Sequence, residues 1–159
     1  MQHRLRLATG EDAGPIASMS ARLIETGLRR SWSQLRVGRH IRSANSIVLT
    51  AREDAVLAGF AIMHFSDDSA HLNLLAVEPA YRCRGIGRSL VNWLEKSAVV
   101  AGTFIVSLEV RSDNADALGF YSKLGFQETG LLRNYYDGKF DALLLARDLR
   151  VLQTDIQLD

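Results

Sequence analysis

The chain of 159 residues has a single cysteine, Cys83, which excludes an internal disulfide. Its four histidines are scattered, and none stands at a recognisable zinc spacing from that thiol, so no structural metal is expected. An excess of one charge is missing too. The 19 basic and 18 acidic residues leave a formal +1, which provides no global field to attract nucleic acid or an anionic membrane. No apolar run approaches bilayer-spanning length, and the opening MQHRLRLATGED lacks the succession of basic segment, apolar stretch and small-residue cleavage site. The expectation is a cytoplasmic protein without a membrane partner. Repeats, low-complexity tracts and linkers are also lacking.

What is present is 47% hydrophobic residues in a chain long enough for one core and too short for two ordinary domains. The reading is one domain over 1–150 and a loose tail over 151–159. HRLRLA alternates polar and apolar residues as a half-buried strand does. Thr9 then caps a helix with Asp12 at its third position and Ile16, Met19, Leu23 and Ile24 at helical spacing to about residue 26. Ser31 or Ser33 starts a second helix carrying Trp32, Leu35 and Ile41, with a basic polar side.

From Ser46 the period changes. SIVLTAR and VLAGFAIMHF form a hairpin around Glu53 and Asp54, and HLNLLAV follows the SDDS turn as a strand stopped by Pro79. A helix bearing Leu90, Val91, Leu94 and Val99 runs to near Gly102, and a strand covers 104–110. Residues 114–124 read as a helix stopped by Gly125. Two last strands, near 126–135 and 139–148, turn at Asp137-Gly138, a dipeptide that favours tight hairpins. Strands and helices thus mix in one α+β layer structure.

The first chemical signal is Arg82-Cys83-Arg84-Gly85-Ile86-Gly87-Arg88, set between a strand and a helix. Glycines leave room for a ligand to approach the backbone. The N–H groups and dipole of a helix start attract an anion, and Arg82, Arg84 and Arg88 add charge. A phosphate-bearing ligand fits. No Gly-Lys-Ser/Thr follows, and Leu90 stands where a dinucleotide fingerprint needs its third glycine, which argues against ATP and NAD. The plainer reading is a helix-leading turn with solvated arginines.

Residues 72–126 resemble the core of the GNAT acetyltransferases in both order and spacing. LNLLAVEPAYRCRGIGRSL resembles that family's strand, loop and helix, with Arg82, Gly85 and Gly87 on its Arg-x-x-Gly-x-Gly pattern. LEVRSDNADALGFYSKLGF resembles its second motif through Asn114, Tyr121, Gly125 and Phe126. Glu109, Arg111, Asn114, Tyr121 and the run Arg133-Asn134-Tyr135-Tyr136 further resemble the ribosomal-protein alanine N-acetyltransferases and their relatives. The tract GLRRSWSQLRVGRHIRSAN departs from the pattern of those enzymes, in a region that shapes the acceptor pocket across the superfamily, so the acceptor stays open.

The resemblance implies a mixed, mostly antiparallel central sheet flanked by helices, and acetyl-coenzyme A as cosubstrate. The coenzyme would be held by Leu75, Ala76 and Val77, by Arg82, Arg84, Gly85, Ile86, Gly87 and Arg88, and by Asn114. Acetyl transfer to an amine needs a base, an oxyanion site and a proton for the leaving thiolate. Glu109 is assigned the base and Tyr121 the acid, while Arg133, Tyr135 and Tyr136 line the acceptor groove. Each has a plainer alternative: Glu109 paired with Arg111 on one strand face, Tyr121 as a core residue, and the last three as a polar hairpin face. An acyl-Cys83 route has no histidine base nearby in sequence, so direct transfer is expected.

An α-amine acceptor suits the chemistry, being roughly a tenth neutral at pH 7 where a lysine amine is neutral less than about one time in a thousand. A protein N-terminus is therefore the leading acceptor. A polyamine, amino acid or antibiotic is the alternative within the class, and a non-catalytic acyl-coenzyme A sensor the alternative outside it.

Overall fold

A computed structural model describes residues 3–150, which divide into two compact units. One comprises the residues up to Phe65 together with Leu72–Leu94, and the other Ser66–His71 together with the residues from Glu95 onward.

The first unit contains β1 (Arg4–Leu7), α1 (Ala13–Leu23), α2 (Gln34–Arg42), β2 (Ser46–Glu53), β3 (Val56–Phe65), most of β4 (Ser69–Val77) and the start of α3 (Ile86–Val100). Its strands lie in the order β1-β2-β3-β4. β1 and β3 flank β2 antiparallel, with Leu5 opposite Ala51 and Leu49 opposite Ala61. Ile16 and Met19 of α1 and Val37 of α2 form one buried cluster with Phe60, Ile62 and Leu74 of the sheet, as the helical spacing of the apolar residues requires.

α1 begins and ends inside its expected limits. Thr9 and Asp12 do form the reciprocal cap, Asp12 accepting the Thr9 N–H at 2.8 Å, but Gly10–Asp12 is a 3-10 turn. Pro15, in the first α turn, has no N–H to give to the Glu11 carbonyl, so the wider helix cannot extend back. At the far end Glu25, only 6% exposed, accepts from Ser20 Oγ at 3.0 Å, the Ser31 N–H at 2.6 Å and the Trp32 N–H at 3.1 Å. These bonds draw the chain out of the helix. Ser31 is thereby committed, and Ser33 caps α2 by accepting the Arg36 N–H at 3.1 Å.

The second unit contains the start of β4, the rest of α3, β5 (Ile105–Arg111), α4 (Ala115–Lys123), β6 (Gln127–Tyr136) and β7 (Phe140–Asp148). Its strand order is β4-β5-β7-β6. Ser69–His71 run parallel to Ile105–Ser107, whereas β5 and β6 both pair antiparallel with β7. Asp137 and Gly138 have φ of 51° and 68°, the left-handed pair of a tight hairpin turn, as their identities foretold. The seven described strands form a mixed, mostly antiparallel arrangement with four α-helices, as expected. Strand and helix ends differ from the sequence reading by a residue or two, while the tail over 151–159 lies outside the described residues. No described helix is long and apolar enough to cross a membrane.

Candidate active site

In the first unit, the glycine-bearing turn leads into α3. Gly85 has φ of 81°, and a Cβ there would meet no heavy atom within 4 Å, so its backbone face is open. Cys83, at φ 64°, takes a second left-handed position that nothing in its residue type announces. Arg82, Arg84 and Arg88 are exposed, Gly87 is half-buried and Ile86 anchors the helix start in the core at 1% exposure. The arginines are partly committed. Arg82 Nε donates to the Val77 carbonyl at 3.1 Å, and Arg84 pairs with the buried Glu53 at 3.2 Å. An open αL glycine, a helix N-terminus and three exposed guanidinium groups suit a diphosphate. Upstream, β4 buries Ala76 and half-buries Leu75 and Val77. Gly59 lets β3 approach so closely that a Cβ would lie 2.8 Å from the Ala76 carbonyl.

In the second unit, the alternation of β5 buries Val106, Leu108 and Val110 on one face and half-exposes Ser107, Glu109 and Arg111 on the other. Arg111 binds Asp113 at 2.9 Å, and its guanidinium lies 3.8 Å from the Phe140 ring centre. Glu109 meets His71 of β4, with Nε2 2.6 Å from Oε2. His71 stands directly opposite Ser107 in the parallel ladder, and its Nδ1 lies 3.2 Å from Ser107 Oγ.

Tyr135 reaches the same carboxylate through a bulge. Register is lost in β6 between Leu132 and Tyr136, where Asn134 takes φ of 52° and donates its N–H to Asp141 Oδ1 at 2.8 Å. The insertion aims the Tyr135 hydroxyl at Glu109 Oε1, to which it donates at 3.5 Å. Tyr135 and Tyr136 stack edge to face at 4.9 Å. Burial, with the negative charges of Glu109 and Tyr135 opposed by Arg111, pushes the Tyr136 phenol up to about 12. Arg133 is exposed beside the bulge.

Tyr121 sits on α4 at 8% exposure, with the Phe120 and Phe126 rings edge-on at 5.0 and 5.4 Å. Burial, and secondarily the neighbouring Tyr136, pushes its phenol above the usual tyrosine range. It therefore keeps its proton through the neutral range. Asn114 caps α4 by accepting the Ala117 N–H at 3.1 Å, which commits its side-chain oxygen to the helix.

Glu109, Tyr135 and Tyr136 thus come together, with Tyr121 beside Tyr136. His71 and Ser107 were not anticipated. The alternation of HLNLLAV puts His71 on a definite strand face, but only the register of β4 against β5 brings it to the carboxylate.

The acetyltransferase (GNAT) family profile matches residues 18–126. The [ribosomal protein bS18]-alanine N-acetyltransferase of Escherichia coli K12 is 39% identical over 97 residues, covering 59% of this chain and 66%, just under two thirds, of that protein. The N-alpha-acetyltransferase RimI of Mycobacterium tuberculosis is 34% identical over 122 residues, 74% of this chain and 75% of the relative. Among solved structures, the ribosomal-protein-S18-alanine N-acetyltransferase from Escherichia coli superposes with a TM-score of 0.81 at 28% identity, over 93% of this chain and 94% of that one.

Proposed function

The chain belongs to the acetyltransferase (GNAT) family, and from that premise we propose that it carries acetyl from acetyl-coenzyme A directly to the free α-amine of a protein or peptide N-terminus. The open Gly85 turn and the arginines around it hold the coenzyme diphosphate, and the Leu75–Ala76–Val77 backbone holds the pantetheine arm. Asn114 caps α4 through its side-chain oxygen, and its amide N–H groups are its donors toward the coenzyme.

Glu109 takes the proton from the acceptor amine as the nitrogen attacks the thioester carbonyl. A C–N bond forms, a backbone amide of β4 stabilises the oxyanion, and collapse breaks the C–S bond. Tyr121 donates to the departing thiolate. Its raised phenol makes complete transfer to a thiol of ordinary acidity uphill, so it contributes chiefly as a hydrogen-bond donor until the thiolate leaves. Arg133, Tyr135 and Tyr136 border the acceptor.

The observation that carries this reading is Glu109 held on a half-buried strand face by His71 and Tyr135. The names of the relatives in Escherichia coli and Mycobacterium tuberculosis support an α-amine over a small polyamine. Steady-state thiol release with a free-N-terminus peptide tests it: Glu109→Gln should lower kcat by roughly 10²–10⁴-fold with the acetyl-coenzyme A KM little changed. Full turnover by that variant would remove Glu109 as base.

A further inference from the structure

We infer that His71 is a positioning residue for the base, holding Glu109 in a single orientation through a Ser107–His71–Glu109 chain; the inference rests on Glu109 serving as base. Four observations carry it. His71 Nε2 stands 2.6 Å from Glu109 Oε2, a separation that requires a proton between the two atoms because an ionised carboxylate only accepts. His71 Nδ1 stands 3.2 Å from Ser107 Oγ, whose other neighbour is the Ala70 carbonyl at 3.5 Å. Ser107 and Glu109 share one face of β5, and the parallel register sets His71 directly beside Ser107. Both partners are partly shielded, with side-chain exposures of 33% for His71 and 19% for Glu109.

The chain of donors follows from the chemistry of each group. Ser107 Oγ–H donates to Nδ1 and fixes the neutral imidazole as its Nε2–H form, which donates to Oε2. One oxygen of Glu109 is then occupied and the carboxylate plane is set, so Oε1 faces the amine with only the long Tyr135 contact upon it. During transfer the amine proton goes to Oε1 and His71 keeps its own. The other titratable or charged groups facing this pair are Tyr135 and Tyr136 from β6 and Arg111 from β5. Burial and the Glu109 charge hold the two phenols protonated.

The test compares wild type, His71→Gln, His71→Ala and Ser107→Ala on a free-N-terminus peptide, alongside nitrogen-15 NMR of the imidazole in wild type, Ser107→Ala and Glu109→Gln. His71→Gln keeps an N–H donor for Oε2. It should retain kcat within several-fold of wild type. His71→Ala should lose kcat about ten- to a hundredfold with the acetyl-coenzyme A KM unchanged, a smaller loss than for Glu109→Gln. The NMR should show Nε2 protonated in wild type and mixed tautomers in Ser107→Ala and Glu109→Gln. Equal losses of kcat in both His71 variants, or one tautomer pattern in all three proteins, would overturn the inference. Failure of the acceptor reading looks different: the wild type itself would not turn over, while the NMR would still decide the pairing.

Discussion

Arg147 forks onto both oxygens of Glu95, placing Nη1 2.8 and 3.0 Å from them, and Glu95 is only 2% exposed. Burial pushes the Glu95 carboxyl up from its ordinary value, and Arg147 works against that rise. A carboxyl raised in the folded state binds its proton more readily there than when unfolded, so it favours folding at low pH and loses that contribution as pH climbs through the folded value. Arg147→Met strands the charge and should cost about 3–5 kcal/mol at pH 7. The loss should shrink toward pH 4, where Glu95 is neutral, and urea unfolding of both proteins at the two pH values checks it.

Asp12 has the opposite sign. Burial raises its carboxyl, but the Thr9 N–H and the guanidinium groups of Arg52 and Arg6 outweigh burial and hold it below the usual range. A depressed carboxyl stabilises above its unfolded value near 4 and ceases to do so as pH falls through the folded one. Asp12→Asn should therefore cost about 1.5–3 kcal/mol at neutral pH, with the difference from wild type fading in chemical denaturation as pH falls below the ordinary carboxylate range.

At the turn proposed to hold the coenzyme, Gly85→Ala adds a methyl to an open face and a side chain to a left-handed residue, a strain of about 1–2 kcal/mol. The acetyl-coenzyme A KM should rise roughly tenfold or more while kcat falls less. Steady-state kinetics at varied acetyl-coenzyme A separates the two, and an unchanged KM would take the turn out of the coenzyme site.

Tyr121→Phe should lower kcat by roughly 10²–10⁴-fold without loss of fold. Because its phenol is raised, Tyr121 keeps its proton beyond the ordinary tyrosine range, so wild-type kcat should not fall below pH 10 through this residue. A pH profile with an alkaline drop before that point, abolished in Tyr121→Phe, would contradict the assignment.

Much of this was legible in the sequence where the signal is local. Asp137-Gly138, the Thr9–Asp12 cap and the alternation of β5 each depend on residues a few positions apart, and the structure realises all three. Arg82, Gly85 and Glu109 could be picked out from motif spacing. What stayed hidden depends on pairing between distant segments or on context. The His71–Ser107 register joins residues 36 apart in sequence, the β6 bulge turns Tyr135 toward Glu109, and Glu25 ends α1 by gathering donors from the following loop. Cys83 in a left-handed conformation carries no compositional sign at all.

Thiol release from acetyl-coenzyme A with three acceptor pools, free-N-terminus peptides, N-terminally blocked lysine peptides, and small polyamines or amino acids, decides whether the chain acetylates α-amines. Turnover should be confined to the free N-termini and lost in Tyr121→Phe. Turnover on small amines alone, or coenzyme binding with no transfer to any pool, would contradict it.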